Sequence, residues 1–482
     1  MSRVFLPALL LIASAGIAHA QAHIDFAPAV TYTVGGNPEG AALLDFNDDG
    51  FLDLAVTSDQ PNKIEFFANQ GNGTFAAPFA LLTGNETGPE GLAPADFNSD
   101  GHVDLAVALF GTDQVQLVFG DGSGHFSLGG TIAVGDEPSM IVAADFDADG
   151  WIDVAVNNRV SGDMSVLLND GAGQLEAAVS HPVGVETRSI DAGDFTGDGL
   201  PDLAVSARDS RIVRLFENLG GTFQMFRDLS LGSLLEPEGV TFADFDGDGA
   251  LDLVTATSGM DNQQHPSVFL QNNGGRVGIW VGPVNGQTLP GIEPMGIAAA
   301  DFDLDGHVDV ATSNSGSDNV SVNKNGGIGI FFVPVVYPVG QSPETEVLLA
   351  GDLDRNGAAD LITLNQESED VSVLMNRNSA TVDAPSSPAI GGLVFHRVVP
   401  NPVVDQAYLT YDLARSAAVT LSIYDAAGRH VRTLEHATLP AGEHRLVWNG
   451  VRSDGTRSAP GVYIAVLSAA GEVRAQRLVL TR

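Results

Sequence analysis

Nine residues, Asp244-Phe245-Asp246-Gly247-Asp248-Gly249-Ala250-Leu251-Asp252, hold the densest chemistry in the chain. Carboxylates stand at positions one, three, five and nine. The glycine at position six permits a sharp turn that folds their oxygens together. An oxygen-only set of this kind suits a hard cation. Calcium takes six to eight oxygens at roughly 2.3–2.6 Å in flexible geometry, whereas magnesium demands a tighter octahedron and keeps more of its own water. Four side chains, the position-seven carbonyl and one water would fill a calcium shell.

The stretch occurs seven times. Its ligand positions are Asp45, Asn47, Asp49 and Asp53; Asp96, Asn98, Asp100 and Asp104; Asp145, Asp147, Asp149 and Asp153; Asp194, Thr196, Asp198 and Asp202; Asp244, Asp246, Asp248 and Asp252; Asp301, Asp303, Asp305 and Asp309; and Asp352, Asp354, Asn356 and Asp360. The copies at Asp145, Asp244 and Asp301 offer four aspartates, and Thr196 makes the fourth loop the weakest expected binder. An EF-hand would need a bidentate Glu at position twelve and a following helix. Position twelve is Val56, Val107, Val156, Val205, Thr255, Thr312 or Thr363, and the flanks are β-rich, so that reading fails. A polar turn between strands would explain one copy, but not seven that all keep the first and last aspartate. The expectation is up to seven Ca2+, one per repeat.

Successive copies begin 51, 49, 49, 50, 57 and 51 residues apart. Such a period signals a propeller or array, and a linear β-solenoid usually repeats at shorter intervals. Each repeat reads as four short strands with turns between them. In the fifth, Gly239–Ala243 leads into the acidic loop and Leu253–Ala256 leaves it, with a third strand over Ser267–Gln271. Four-stranded units repeated radially make a propeller, which leaves only short, protected edges. The seventh repeat lacks a fourth strand of its own. Phe26–Gly35 resembles the fourth-slot segments Phe75–Gly84 and Phe332–Gly340, so it is expected to complete the last blade and close a seven-bladed ring.

These residues resemble the FG-GAP (VCBS-type) repeats of the integrin alpha-subunit propeller and its bacterial relatives, over about residues 24–380. In that family the loop joins the first two strands of a blade and binds calcium. The resemblance implies the same for Asp244, Asp246, Asp248, Asp252 and their counterparts. The chain departs from integrins in carrying the loop in all seven repeats. A fold does not fix a ligand.

Residues 379–392 are small, Pro-containing and unpatterned, as a linker would be. Beyond them, residues 391–482 hold ten Arg against seven Asp plus Glu, in a chain whose formal charge is −39. Val419–Tyr424, a turn at Asp425–Gly428 and His430–Leu434 read as strand, turn, strand in a small β-sandwich. Pro400-Asn401-Pro402, Trp448-Asn449-Gly450 and Pro460-Gly461-Val462-Tyr463 resemble the Ig-like domain of flagellar hook-capping proteins, and the order of motifs is also similar to type IX secretion sorting domains. Either likeness implies bacterial export or surface attachment.

The expected fold class is therefore all-β: a signal peptide at 1–20, a seven-bladed β-propeller at 21–378, a linker, and an Ig-like sandwich at 393–482. The signal rests on Arg3, the apolar Val4–Ile17 and the small-x-small Ala18-His19-Ala20. No later segment has the roughly 18 apolar residues of a membrane-spanning helix. With no cysteine, metal clips are the cross-links open to an extracellular chain. The ligand positions supply 24 of the 61 acids; seven dications, two charges apiece, would reduce −39 to −25. Nucleic acid is an unlikely partner for so acidic a chain, since binding it needs clustered Lys and Arg.

A search for catalytic chemistry finds no His-Glu-x-x-His, Gly-x-Ser-x-Gly or phosphate-cradling loop. His102 and His307 at position seven read as solvated loop residues. Phe51 and Trp151 occupy the same slot, either as unconstrained side chains or as platforms for sugar stacking. Acids six or eight residues before each loop (Glu39, Glu90, Glu137, Glu186, Glu236 or Glu238, Glu293, Glu344 or Glu346) read either as solvated turn acids near Pro and Gly or, if alternation holds, as one side of the innermost strand or its entry turn. In the latter case they would ring the opposite channel mouth and attract a cationic or polyhydroxylated ligand. Arg188, Arg208, Arg211 and Arg214 are the irregular cluster. The functional expectation is a secreted, calcium-binding, non-catalytic adhesion or binding module for an unidentified glycan or protein, with the tail engaging export machinery. The alternative is an enzyme or accessory protein acting on polysaccharide.

Overall fold

The computed structural model describes residues 24–171, 173–232, 235–258, 268–270, 293–327, 331–332, 334–340, 347–379, and, further on, 393–395, 407–413, 415, 417–425, 430–440, 442–453, 456–458, 461–469 and 472–480. The expected signal peptide lies outside these residues, as do nearly all of the linker, the fifth repeat's fourth strand, Glu344 and Glu346. The chain divides into two compact units, Met1–Ala380 and Thr381–Arg482.

In the first unit the strands form antiparallel sheets in chain order. The first is Pro38–Leu44, Asp53–Asp59, Asn62–Phe67 and Phe79–Leu82. The second is Pro89–Ala95, Asp104–Leu109, Gln114–Gly120 and Phe126–Ala133. The third and fourth begin at Pro138 and Thr187, and the sixth at Pro294, each with four strands. Three strands of the fifth are described: Glu236–Ala243, Asp252–Ser258 and Val268–Leu270. In the seventh, Leu348–Gly351, Asp360–Asn365 and Asp370–Leu374 are completed by Val30–Thr33 from the start of the unit, with Val30 opposite Val373 and Thr33 opposite Asp370. Completion of the last repeat's sheet by this segment is the pairing expected from the sequence.

Second strands read Asp-Leu-Ala-Val or close variants because both of their faces are covered. Asp104–Leu109, Asp153–Asn158, Asp202–Ala207 and Asp309–Asn314 are buried throughout, and strands buried on both sides need nearly continuous apolar or small residues. Outer strands are mostly exposed. The innermost strands converge on one central cavity lined by Gly40, Gly91, Met140, Ser189, Gly239, Gly296 and Leu348, one from each sheet. Neighbouring strands approach so closely there that a Cβ on Gly40 would lie 2.2 Å from the Glu90 carbonyl oxygen. Only glycine fits that contact.

The second unit has two sheets around one core. Leu393–Phe395, Ala407–Leu413 and Gly442–Trp448 form one; His430–Leu439, Ala417–Asp425, Gly461–Ala469 and Glu472–Leu480 form the other. Trp448 and Tyr411 are fully buried among Leu409, Ile423 and Leu467. The Trp448 indole donates to the Val451 carbonyl at 3.2 Å, giving a buried polar tip the partner it needs.

Candidate metal centres

Each acidic loop joins the first two strands of its sheet, and its ninth residue opens the second strand. The loop is shaped by its own carboxylates. Position one accepts the N–H of the position-six glycine in every copy, from Gly50 to Asp45 at 2.7 Å through Gly150 to Asp145 at 3.1 Å. That glycine has φ between 86° and 97°. Position four is also left-handed, and non-glycine residues take the strain at Asp48, Ser99, Ala148, Leu304 and Arg355. Sequence patterning gives no sign of this second turn residue.

Position nine does two jobs. Asp153 is buried; its Oδ2 accepts the Phe146 N–H and its Oδ1 the Asn169 N–H, both at 2.8 Å. Asp53, Asp202, Asp309 and Asp360 repeat the arrangement. Burial pushes the carboxyls of Asp53, Asp104, Asp153 and Asp202 up to about 6 and those of Asp309 and Asp360 to about 7, against the pull of these hydrogen bonds. Desolvation disfavours the charged form when no cation compensates it.

An asparagine at the end of the third strand or two residues past it joins neighbouring loops, a role that the sequence does not reveal. Asn169 donates from Nδ2 to the carbonyl of Ile152 in its own loop (3.1 Å) and of Phe97 in the preceding loop (2.9 Å). Asn69, Asn218, Asn325 and Asn376 clasp Leu353, Phe146, Phe245 and Phe302 in the same way. Each clasped residue is position two of a loop and is itself buried. Loop and seam are thus one structure.

Ligand positions converge in four loops among the described residues. Oxygens of Asp145, Asp147 and Asp153, of Asp244, Asp246 and Asp248, of Asp301, Asp303 and Asp309, and of Asp352, Asp354 and Asp360 lie within 4.8 Å of one another. Two buried oxygens, Asp145 Oδ1 and Asp303 Oδ1, have no hydrogen-bond partner. A buried, unpartnered carboxylate oxygen facing other carboxylates fits a hard cation. In the fourth loop the Thr196 N–H instead donates to Asp202 at 3.0 Å, and Gly197 caps Asp194 at 2.7 Å.

Position-seven side chains make contacts that the sequence does not show, although His307 is exposed as expected. Phe51 is covered by the Arg355 guanidinium, 4.1 Å from its ring centroid. Trp151 and His307 lie over Gly171 and Gly327, where a Cβ would come within 2.5 Å of either ring. His102 Nδ1 sits 2.7 Å from Asp48 Oδ2 in the neighbouring loop.

Several acids of the expected ring are held in ion pairs. A bulge interrupts strand pairing between Pro38 and Ala41, Pro89 and Leu92, and Pro237 and Val240. Simple alternation therefore does not carry across the two offsets. On the third-to-fifth sheets the acids are ion-paired: Glu137 with Arg159 (3.1 Å), Glu186 with Arg188 (3.2 Å), Glu236 with Arg208 (3.3 Å) and Arg211 (3.4 Å), and Glu238 with Arg208 (3.2 Å). Arg214 stands apart, forked onto Asp228 at 2.6 and 2.8 Å.

Residues 45–107, 96–156, 145–205, 194–255 and 301–363 match the FG-GAP-like repeat, together more than half of the chain. Residues 404–472 match the FlgD Ig-like domain. No curated protein matches the chain. Among solved structures it is similar to BBS1N in complex with ARL6DN, at 13% identity over 74% of this chain and 98% of that one, with a TM-score of 0.51. It is also similar to virginiamycin B lyase from Staphylococcus aureus, at 13% identity over 73% and 99%, with a TM-score of 0.49. The first likeness concerns the fold alone. Regular acidic loops, four-stranded sheets in chain order and the repeat match together place this chain in the FG-GAP-like repeat family.

Proposed function

We propose that the protein is a secreted, calcium-stabilised propeller that acts as a non-catalytic binding or adhesion module, with its C-terminal Ig-like domain serving export or surface attachment. The observation that carries the calcium reading is the meeting of three carboxylates in each of four loops, with the buried Asp145 Oδ1 and Asp303 Oδ1 left without a hydrogen-bond partner among the described residues. Positions one, three, five and nine would hold the ion, up to seven in all. Bound calcium supplies charge neutralisation there. The chain's own part is to preform the turn through the position-one carboxylate and the position-six glycine. The non-catalytic reading is supported by the pairing of Arg188, Arg208 and Arg211 with glutamates, which commits the irregular cluster to structure.

Elemental analysis of protein purified without added chelator, with thermal melts in calcium and in EDTA, tests the metal reading. Several tightly held calcium ions per chain and a large loss of thermal stability in EDTA are expected. No bound metal and superimposable melts would sink it. Glycan and culture-polysaccharide arrays, read first for binding and then for released product, test the module against the enzyme alternative.

A further inference from the structure

The sixth loop contains a cation of its own. Lys324 extends its ammonium to the Asp303 carboxylate at position three and lies 2.9 Å from Asp305 Oδ2 at position five. The Asp303 side chain is fully buried and Lys324 is three-quarters covered. The lysine is held there by its place in the chain: it stands between the strand Asn319–Asn323 and Asn325, whose side chain clasps the Phe245 carbonyl at 2.6 Å. At the matching position, one residue before the end of the third strand's asparagine or glycine, the first, second, third, fourth and seventh repeats carry Ala68, Phe119, Leu168, Glu217 and Met375. Lysine here belongs to the sixth repeat.

We propose that Lys324 is a tethered cation that partly replaces the divalent ion in the sixth loop, so that this loop binds calcium more weakly than its four aspartates imply and keeps its shape without it. The inference rests on the calcium reading of the loops. Its physical basis is competition: an ammonium held against two ligand carboxylates must be displaced, or share their field with a second positive charge, before a dication enters. Asp303 Oδ1 stays unpartnered beside the lysine, so the ammonium satisfies the loop only in part and calcium can still enter at higher concentration. The third and fifth loops, with the same four aspartates, are the internal controls.

Equilibrium dialysis of calcium against the full chain tests this, comparing wild type with Lys324→Met and Lys324→Arg. Lys324→Met is expected to tighten one site by about tenfold or more, and adding Asp305→Asn to that variant should remove the gain; Lys324→Arg should behave as wild type. In EDTA, amide exchange across residues 301–309 should accelerate in Lys324→Met and not in wild type. Equal calcium affinities in wild type and Lys324→Met overturn the inference while leaving the calcium reading standing. Calcium uptake by neither protein overturns both. Faster exchange without tighter binding shows a structural ion pair only, which also overturns it.

Discussion

Adjacent sheets of the first unit are joined in different ways. Between the second and third, Asn169 reaches back to the Phe97 carbonyl. Between the first and second, the asparagine is replaced by Gly120, and the seam is closed by rings. Phe66 lies between Phe79 and Phe126, with centroids 5.0 and 4.1 Å away, and Phe46 meets all three edge-on. The Val103 carbonyl occupies the space that a side chain would need, 2.4 Å from where a Cβ on Gly120 would stand. A polar clasp and an aromatic stack are therefore alternative ways to hold a loop to its neighbour, and each seam is built around the one it has.

The largest expected effect comes from breaking the aromatic seam. Phe66→Ala should cost about 3–5 kcal/mol, the usual range for deleting a buried ring, read as a fall in the urea midpoint. A loss no greater than that of an exposed Phe would deny the stack its role. Next comes the residue that ties loop to seam: Asp153→Ala strands the Phe146 and Asn169 N–H groups, at about 3 kcal/mol. It should also abolish the third site in a calcium titration. Asn169→Ala should cost about 2 kcal/mol, because the Phe97 and Ile152 carbonyls lose their donor. If it were silent, the clasp would be ornamental.

Grafting the clasp sharpens the comparison. Gly120→Asn should lower stability by about 1–3 kcal/mol rather than raise it, since the new Cβ collides with backbone; a stabilised variant would show that the two seams are interchangeable. The smallest effect concerns a third kind of contact. Asp191, half-buried between the fourth and fifth innermost strands, accepts the Phe242 N–H at 2.8 Å, and desolvation raises its carboxyl to about 6. Between its ordinary value near 3.8 and about 6 the folded state holds the proton more tightly than the unfolded chain. Stability contributed by this group therefore falls as pH rises through that window. Asp191→Asn keeps an acceptor and should flatten that slope; parallel pH profiles for the two proteins would refute the assignment.

Much of this was legible in the residues. The period and the loop spacing identified the sheets, and the likeness of Phe26–Gly35 to two fourth-slot segments pointed to the shared last sheet, because alternation and turn chemistry are local signals. Asn169 and Asn218 leave no such local signal. Their partners are carbonyls 72 residues earlier, and a backbone acceptor leaves no mark in sequence. The same limit hid the glutamate–arginine pairs. Glu238 and Arg208 face each other across neighbouring sheets, while the bulge after Pro237 breaks the alternation from which an open acidic ring was inferred. Local rules fixed which carboxylates could share an ion, and tertiary contacts decided what else they touch.

The strand that completes the seventh sheet has a mechanical consequence. Val30–Thr33 runs antiparallel to Asp370–Leu374, and Phe26 bridges Asn376, so the segment's outward end lies beside the outward end of its partner. Tension applied between residues 24 and 379 would load these bonds one after another, as a zipper is drawn, instead of all at once in shear. The first teeth are the most firmly seated: Phe26 packs edge-on against Phe302, and Asn376 grips the carbonyl of that same residue at 2.8 Å. Resistance to pulling should thus be concentrated at the lip of the latch, with little left once Phe302 lets go.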